Sequence, residues 1–206
     1  MGTQRKDIVK KTDELFQLYG IKCVTMDDIA SELRISKKTL YLHFKSKKDI
    51  INTLVQETIN QFKIKFKKTS NLDSDSFERL YDIYYLLIDL WGEVNSMNYW
   101  NFKKYYPDLH ADFINTIDLI VGDVAESIII EGIWDGFIEP SINIRKFDRI
   151  VRKSIQEFYF DKIMIDTPNS PNEMLFYMLR SVTTSLGLSR IDEIKQNKRR
   201  ISEEVF

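Results

Sequence analysis

Lys37, Lys38, Thr39, Tyr41 and His43 are crowded into less than three helical turns of this chain. Two ammonium groups, a hydroxyl, a phenol and an imidazole in so short a run suit contact with phosphates and base edges. Their setting strengthens that reading. Ser36 is a natural N-cap, so Lys37 and Lys38 open one helix, and Lys47 and Lys48 open the next. A helix N-terminus carries partial positive charge, and each cation placed there costs roughly 0.3–1 kcal/mol at a surface. Folding alone would favour acids at these positions. A bound phosphate would relieve the repulsion and accept the free amides of the first turn.

The elements that must position these groups can be read from caps and apolar stripes. Thr25 with Asp28 forms a capping box in its Asp form. Ile29, Ala30 and Leu33 then share one face of a short helix. After Ile35, Ser36 caps a second helix, whose buried face is Leu40 and Phe44. Ser46 with Asp49 repeats the capping pattern before Ile50, Ile51, Leu54 and Val55 open a long amphipathic helix. Helices this short cannot hold themselves and must be docked by their neighbours. The segment Thr25–Ile50 is therefore expected to be a helix-turn-helix whose second helix meets DNA.

The same segment resembles the N-terminal DNA-binding domain of the TetR family of transcriptional regulators. The resemblance rests on Tyr41, Phe44, Lys47 and Ile50, a Tyr-x-x-Phe pair followed by Lys and an apolar residue, and it covers about the first quarter of the chain. It implies a first helix at Arg5–Tyr19, with Ile8, Thr12, Leu15, Phe16 and Tyr19 on one face and Gly20 closing it. DNA contacts are expected from Thr25, Lys37, Lys38, Thr39, Tyr41, His43 and Lys47, of which the resemblance implies phosphate contacts at Tyr41 and His43. Lys37, Lys38 and Thr39 are the candidates for base edges or nearby phosphates, and the other four for the phosphate backbone. Two departures are visible: Arg34 and Lys38 stand where the family often has glycine. Both add positive charge, and Arg34 would carry a conformational penalty if its backbone is left-handed.

Charge is divided along the chain. Residues 1–68 hold 15 Lys+Arg against 8 Asp+Glu, and residues 69–206 hold 15 against 23. A basic head on an acidic body is the electrostatic outline of a DNA-binding module joined to something else. Cys23 is the single cysteine and, lying between Ile21 and Val24, is expected to be a small core residue. No apolar run resembles a signal peptide or approaches the ~20 residues of a spanning helix, so a cytoplasmic protein without a membrane partner is expected.

The body reads as helix throughout, giving an all-α fold: residues 1–46 as helix-turn-helix domain and 47–206 as helical regulatory and dimerisation domain. A linker helix is expected over about 47–68, followed by helices carrying Phe77–Trp91, Asn98–Tyr106, Asp108–Trp134, Arg145–Ile165 and Asn172–Leu188. The tail from Ser189 is either a last short helix or frayed. The resemblance implies that the body binds a small molecule and forms a homodimer through its last two long helices. Those would carry Phe147, Ile150, Val151, Phe158, Met174, Leu175, Met178, Leu179, Val182 and Leu186. Dimerisation agrees with DNA geometry, because two-fold pairing places a second reading helix roughly 34 Å away in the next major groove. A palindromic double-stranded operator follows.

Aromatic residues concentrate in the middle of the chain. Tyr84, Trp91, Tyr99, Trp100, Phe113 and Ile117 are candidates to line a cavity for a small apolar or aromatic ligand, with helix core as the alternative. Only His43 and His110 are present as histidines, and no metal-ligand set, phosphate loop or nucleophile motif is apparent. Neither an enzyme nor a cofactor is expected. The leading reading is a ligand-responsive repressor. Its rivals are a DNA-binding protein whose body contacts another protein, and a helical enzyme or adaptor with a merely solvated lysine-rich surface.

Overall fold

The computed structural model describes residues 2–71, 73–94, 96–160 and 170–204. Every regular element among them is a helix. In chain order these are α1 (Gly2–Tyr19), α2 (Met26–Glu32), α3 (Lys37–His43), α4 (Lys47–Ser70), α5 (Ser76–Gly92), α6 (Ser96–Tyr105), α7 (Pro107–Trp134), α8 (Ile144–Phe160), α9 (Pro171–Arg180) and α10 (Ser185–Glu204). The chain forms two compact units. One comprises residues 1–62 and 94–117, the other residues 63–93 and 118–206.

In the first unit, α2 packs on both α1 and α3. Ile8, Val9, Leu15, Phe16, Ile29, Ala30, Leu40, Phe44, Ile50 and Ile51 form its core, all buried. Thr12 is fully buried on the same face because its hydroxyl donates to the Ile8 carbonyl at 2.7 Å, satisfying its only polar group within α1. Tyr19 departs from the expected stripe and is 61% exposed. The chain turns at Gly20, in the left-handed region (φ 83°), and the stripe ends with the helix. Cys23 is likewise exposed rather than in the core. The turn after Gly20 directs Ile21 and Val24 inward, and Cys23 between them faces out.

Asn98 ties α6 into this unit. Its side chain is buried, donates to the Phe16 carbonyl at 2.8 Å and accepts from the Ile21 amide at 3.0 Å. One amide thus adds a second bond to the Phe16 carbonyl, which also accepts from the Gly20 amide, and ties the end of α1 to the turn behind it. His110 packs edge-on against Tyr99 and Phe102, and burial together with the nearby Lys103 charge holds its imidazole below the usual range.

The second unit is built on α5, whose strongest packing is against α8, with α9 and α10 completing the layer. Asp75 caps α5 by accepting from the Phe77 and Glu78 amides. Arg190 on α10 then grips that cap. Its three guanidinium nitrogens meet Asp75 and Glu78, both at 2.7 Å, and Glu193 at 3.0 Å. Deeper in, the Tyr84 hydroxyl donates to Asp148 at 3.1 Å, and Arg152 binds the other oxygen of Asp148 through Nε at 2.9 Å and Nη2 at 2.7 Å. Arg152 also pairs with Asp118 on α7. Tyr84 and Asp148 are wholly buried.

A helix read from sequence over Asn172–Leu188 is divided in two. Ser170 and Pro171 start α9 as a cap and first-turn proline, and Ser181 ends it. Val182–Thr184, a β-branched run, instead pairs with the turn after α7: Glu139 donates to the Val182 carbonyl and Thr184 to the Phe137 carbonyl. Thr184 then caps α10, accepting from the Gly187 amide at 3.2 Å. Gly187 is required there because a Cβ would sit 2.1 Å from the Phe137 carbonyl oxygen. The tail expected to be short or frayed is helix as far as Glu204. In the helix expected over Arg145–Ile165, residues 161–165 lie outside the described residues, as do residues 168 and 169 of the expected turn before Pro171.

Candidate nucleic-acid interface

Helix α3 is docked at both ends by identifiable bonds. Thr25 accepts from the Asp28 amide at 3.2 Å, while the Asp28 carboxylate accepts from the Thr25 amide at 2.8 Å and its hydroxyl at 2.7 Å. Those bonds also hold the Asp28 carboxyl below the usual carboxylate range. The turn between α2 and α3 is a Schellman motif. Ile35 donates to the Ala30 carbonyl, Arg34 donates to the Ser31 carbonyl, and Arg34 lies in the left-handed region at φ 53°. Ser36 then caps α3 by accepting from the Thr39 amide at 3.0 Å.

Arg34 is the described non-glycine residue that occupies positive φ. Its side chain is exposed, so Arg34→Gly removes a strained Cβ without opening the core. The expected result is a gain of about 0.5–1 kcal/mol, measured by urea denaturation. No gain, or a loss, would show that the left-handed turn carries no strain.

At its C-terminal end α3 is held by Arg5, which sequence reasoning did not select. Its guanidinium donates to the His43 carbonyl at 2.8 Å, reaches Thr53 at 3.4 Å and lies 4.1 Å above the Phe44 ring. A cation at a helix C-terminus meets both the orphan carbonyls and the negative end of the dipole. Nothing in the local pattern around Arg5 marks it, because all three partners are distant in sequence.

The seven residues selected for DNA contact fall into distinct states. Lys37 and Lys38 are exposed, and Lys37 pairs with Asp27 at 2.6 Å. Tyr41 is half exposed. The Thr39 hydroxyl is bonded to Ser36 at 2.8 Å, and His43 is part-buried. Lys47 is part-buried and donates to the Ile21 and Val24 carbonyls, each at 2.8 Å. Burial pushes its ammonium down from the usual lysine range, against the opposing pull of Cys23 and Asp28. Two of its three N–H groups are thus committed to closing the loop between α1 and α2.

This geometry coincides with a known family. Residues 8–54 match the model of the bacterial regulatory proteins of the tetR family. That match covers about the first quarter of the chain, the segment that holds α2 and α3. Over 85 residues it is 32% identical to an HTH-type transcriptional regulator of Staphylococcus aureus, a match covering 41% of this chain and 44% of that relative. The chain therefore spans less than half the length of that curated relative. It is 22% identical over 154 residues to the HTH-type transcriptional repressor KstR2 of Mycolicibacterium smegmatis, covering 73% of this chain and 75% of the other. A TetR transcription regulator from Haloarcula marismortui has the same fold, with a TM-score of 0.74 at 15% identity over 89% of this chain and all (100%) of that one.

The remaining candidates are distributed over both units of the chain. Tyr84 and Trp91 are buried on α5 in the second unit. Tyr99, Phe113 and Ile117 are buried in the first, where Trp100 is 43% exposed and has the Lys103 ammonium 4.9 Å above its ring. The polar tip of Tyr84 is engaged by Asp148. Among residues selected for dimerisation, Val151, Met174, Leu175 and Leu179 are buried within the chain itself. Phe147, Phe158, Met178 and Val182 are part-buried, and Ile150 and Leu186 are exposed. Among the described residues no three His, Cys, Asp or Glu side chains are grouped to hold a metal ion. No helix among them is long and apolar enough to cross a membrane.

Proposed function

We propose that this chain is a DNA-binding transcriptional regulator, acting as a homodimeric repressor on a palindromic operator and released by a small apolar or aromatic ligand. The observation that carries the reading is α3 itself. Leu40 and Phe44 are locked into the core while Lys37, Lys38 and Tyr41 face outward, with two lysines at the N-terminus of α3, where folding alone favours acids. Residues 1–46 are the reading head and residues 47–206 the regulatory and dimerisation body. The name of the mycobacterial relative, a repressor, supports the sign of regulation. Exposed Leu186 and Ile150, with Tyr177 and Trp134 at 55% and 82% exposure, support a protein contact by the body, a second copy first.

In this mechanism Lys37, Lys38 and Thr39 work on bases or adjacent phosphates, while Tyr41, His43, Thr25 and Lys47 hold the backbone. Ligand binding changes the separation of two heads through the linker helix, which requires the ligand to favour one spacing. An identical head spacing in free and liganded crystals would overturn that part. A salt titration of duplex binding tests the DNA reading. Affinity should fall steeply with salt, and Lys37→Ala combined with Lys38→Ala should make the logarithmic slope less negative by about two. Duplex affinity that ignores salt would overturn it.

A further inference from the structure

On α3, Leu42 is the large apolar residue that nothing buries, at 76% exposure. A lone surface leucine has no meaning by itself; its position does. With about 100° per residue and Leu40 pointing to the core, Lys38 and Leu42 stand at about 160° and 200° around the helix. They are the two side chains aimed most directly away from the domain. Beside them, the Lys37 ammonium pairs with Asp27 and the Thr39 hydroxyl bonds to Ser36. The apex of the helix is thus one ammonium and one isobutyl group, a single turn apart.

We propose that Leu42 is a sequence-reading residue, which packs on the 5-methyl group of a thymine beside the base or phosphate taken by Lys38. This rests on the DNA reading above. The thymine methyl is the one apolar group among the base-edge atoms of the major groove. An aliphatic side chain gains nothing at the hydrogen-bonding edges of guanine, adenine or cytosine. Leu42 therefore selects a T·A pair by burying that methyl, while Lys38 supplies charge. The residue contributes to operator choice and not to general attraction for DNA.

The test uses the full chain. Duplexes retained from a random library by the wild-type protein are sequenced, and each thymine of the preferred site is replaced in turn by uracil, which lacks only the methyl group. One position in each half-site should lose about fourfold in affinity, the equivalent of one buried methyl. In Leu42→Ala that sensitivity should vanish, while the salt slope stays that of the wild type. Alanine is a good helix former and Leu42 is exposed, so α3 remains folded. Lys38→Ala should do the reverse, flattening the slope and keeping the uracil effect. Salt-dependent binding in which wild type and Leu42→Ala respond alike to uracil everywhere overturns the role of Leu42 alone. Absence of salt-dependent duplex binding by the wild type overturns the DNA reading and Leu42 with it.

Discussion

Asp148→Ala is expected to destabilise the protein by about 3–5 kcal/mol in urea denaturation, because it breaks a buried ion pair from one side. The wild-type carboxylate accepts from Tyr84 and twice from Arg152. Alanine would leave a phenol and a guanidinium without their partner where water does not reach: Tyr84 is fully buried and the Arg152 side chain is 14% exposed. Asp118 retains part of the Arg152 charge but is itself half exposed and cannot reach Tyr84's role. Replacing the group together, as Asp148→Leu with Arg152→Met and Tyr84→Phe, should recover most of the loss, since an apolar substitute removes the desolvation cost along with the pair. A single Asp148→Ala variant within 1 kcal/mol of wild type would mean the network is not a structural lock. The result matters for function because α5 and α8 are the best-packed pair of the second unit, and the residues proposed for dimerisation on α8 depend on that packing.

Phe44→Ala is expected to cost about 3–5 kcal/mol and to abolish duplex binding. The ring is 2% exposed, closes α3 and carries the Arg5 guanidinium on its face. Its loss leaves a cavity under the reading helix and removes the surface on which Arg5 rests, so the C-terminal carbonyls of α3 lose their clamp. A helix of seven residues has no means of persisting undocked. Tyr41→Phe is the matching control: it removes a polar tip from a half-exposed ring, so stability should hold while DNA affinity drops modestly. Wild-type stability and salt-dependent binding in Phe44→Ala would overturn the claim that this anchor presents the helix.

What could be read from the chain, and what could not, divides by the distance of the partner. The Thr25–Asp28 box, the Ser36 cap and the Leu40–Phe44 pair are formed between residues three or four apart, so their chemistry is written locally, and the structure has them as expected. The left-handed turn at Arg34 was legible only through the glycine that the resembled family often has there. Arg5, Asn98 and Asp148 are of another kind. Their partners lie 38, 82 and 64 residues away, and a lone Arg, Asn or Asp carries no sign of which backbone or hydroxyl it will meet. Cys23 and Tyr19 failed for a related reason, since a turn decides which of two adjacent side chains faces the core. The break between α9 and α10 is set by pairing with the turn after α7, so helical periodicity alone ran through it.

By itself the sequence determined an all-helical chain with a helix-turn-helix head, because caps, stripes and misplaced cations are short-range properties. Only the tertiary structure decided which head residues are spent on holding it together and which are left to face a partner. Lys47 carries the same ammonium group as Lys38, but two of its three N–H groups are bonded to the Ile21 and Val24 carbonyls, whereas Lys38 is exposed. A side chain's availability depends on what folds against it, and that is fixed only when distant segments meet.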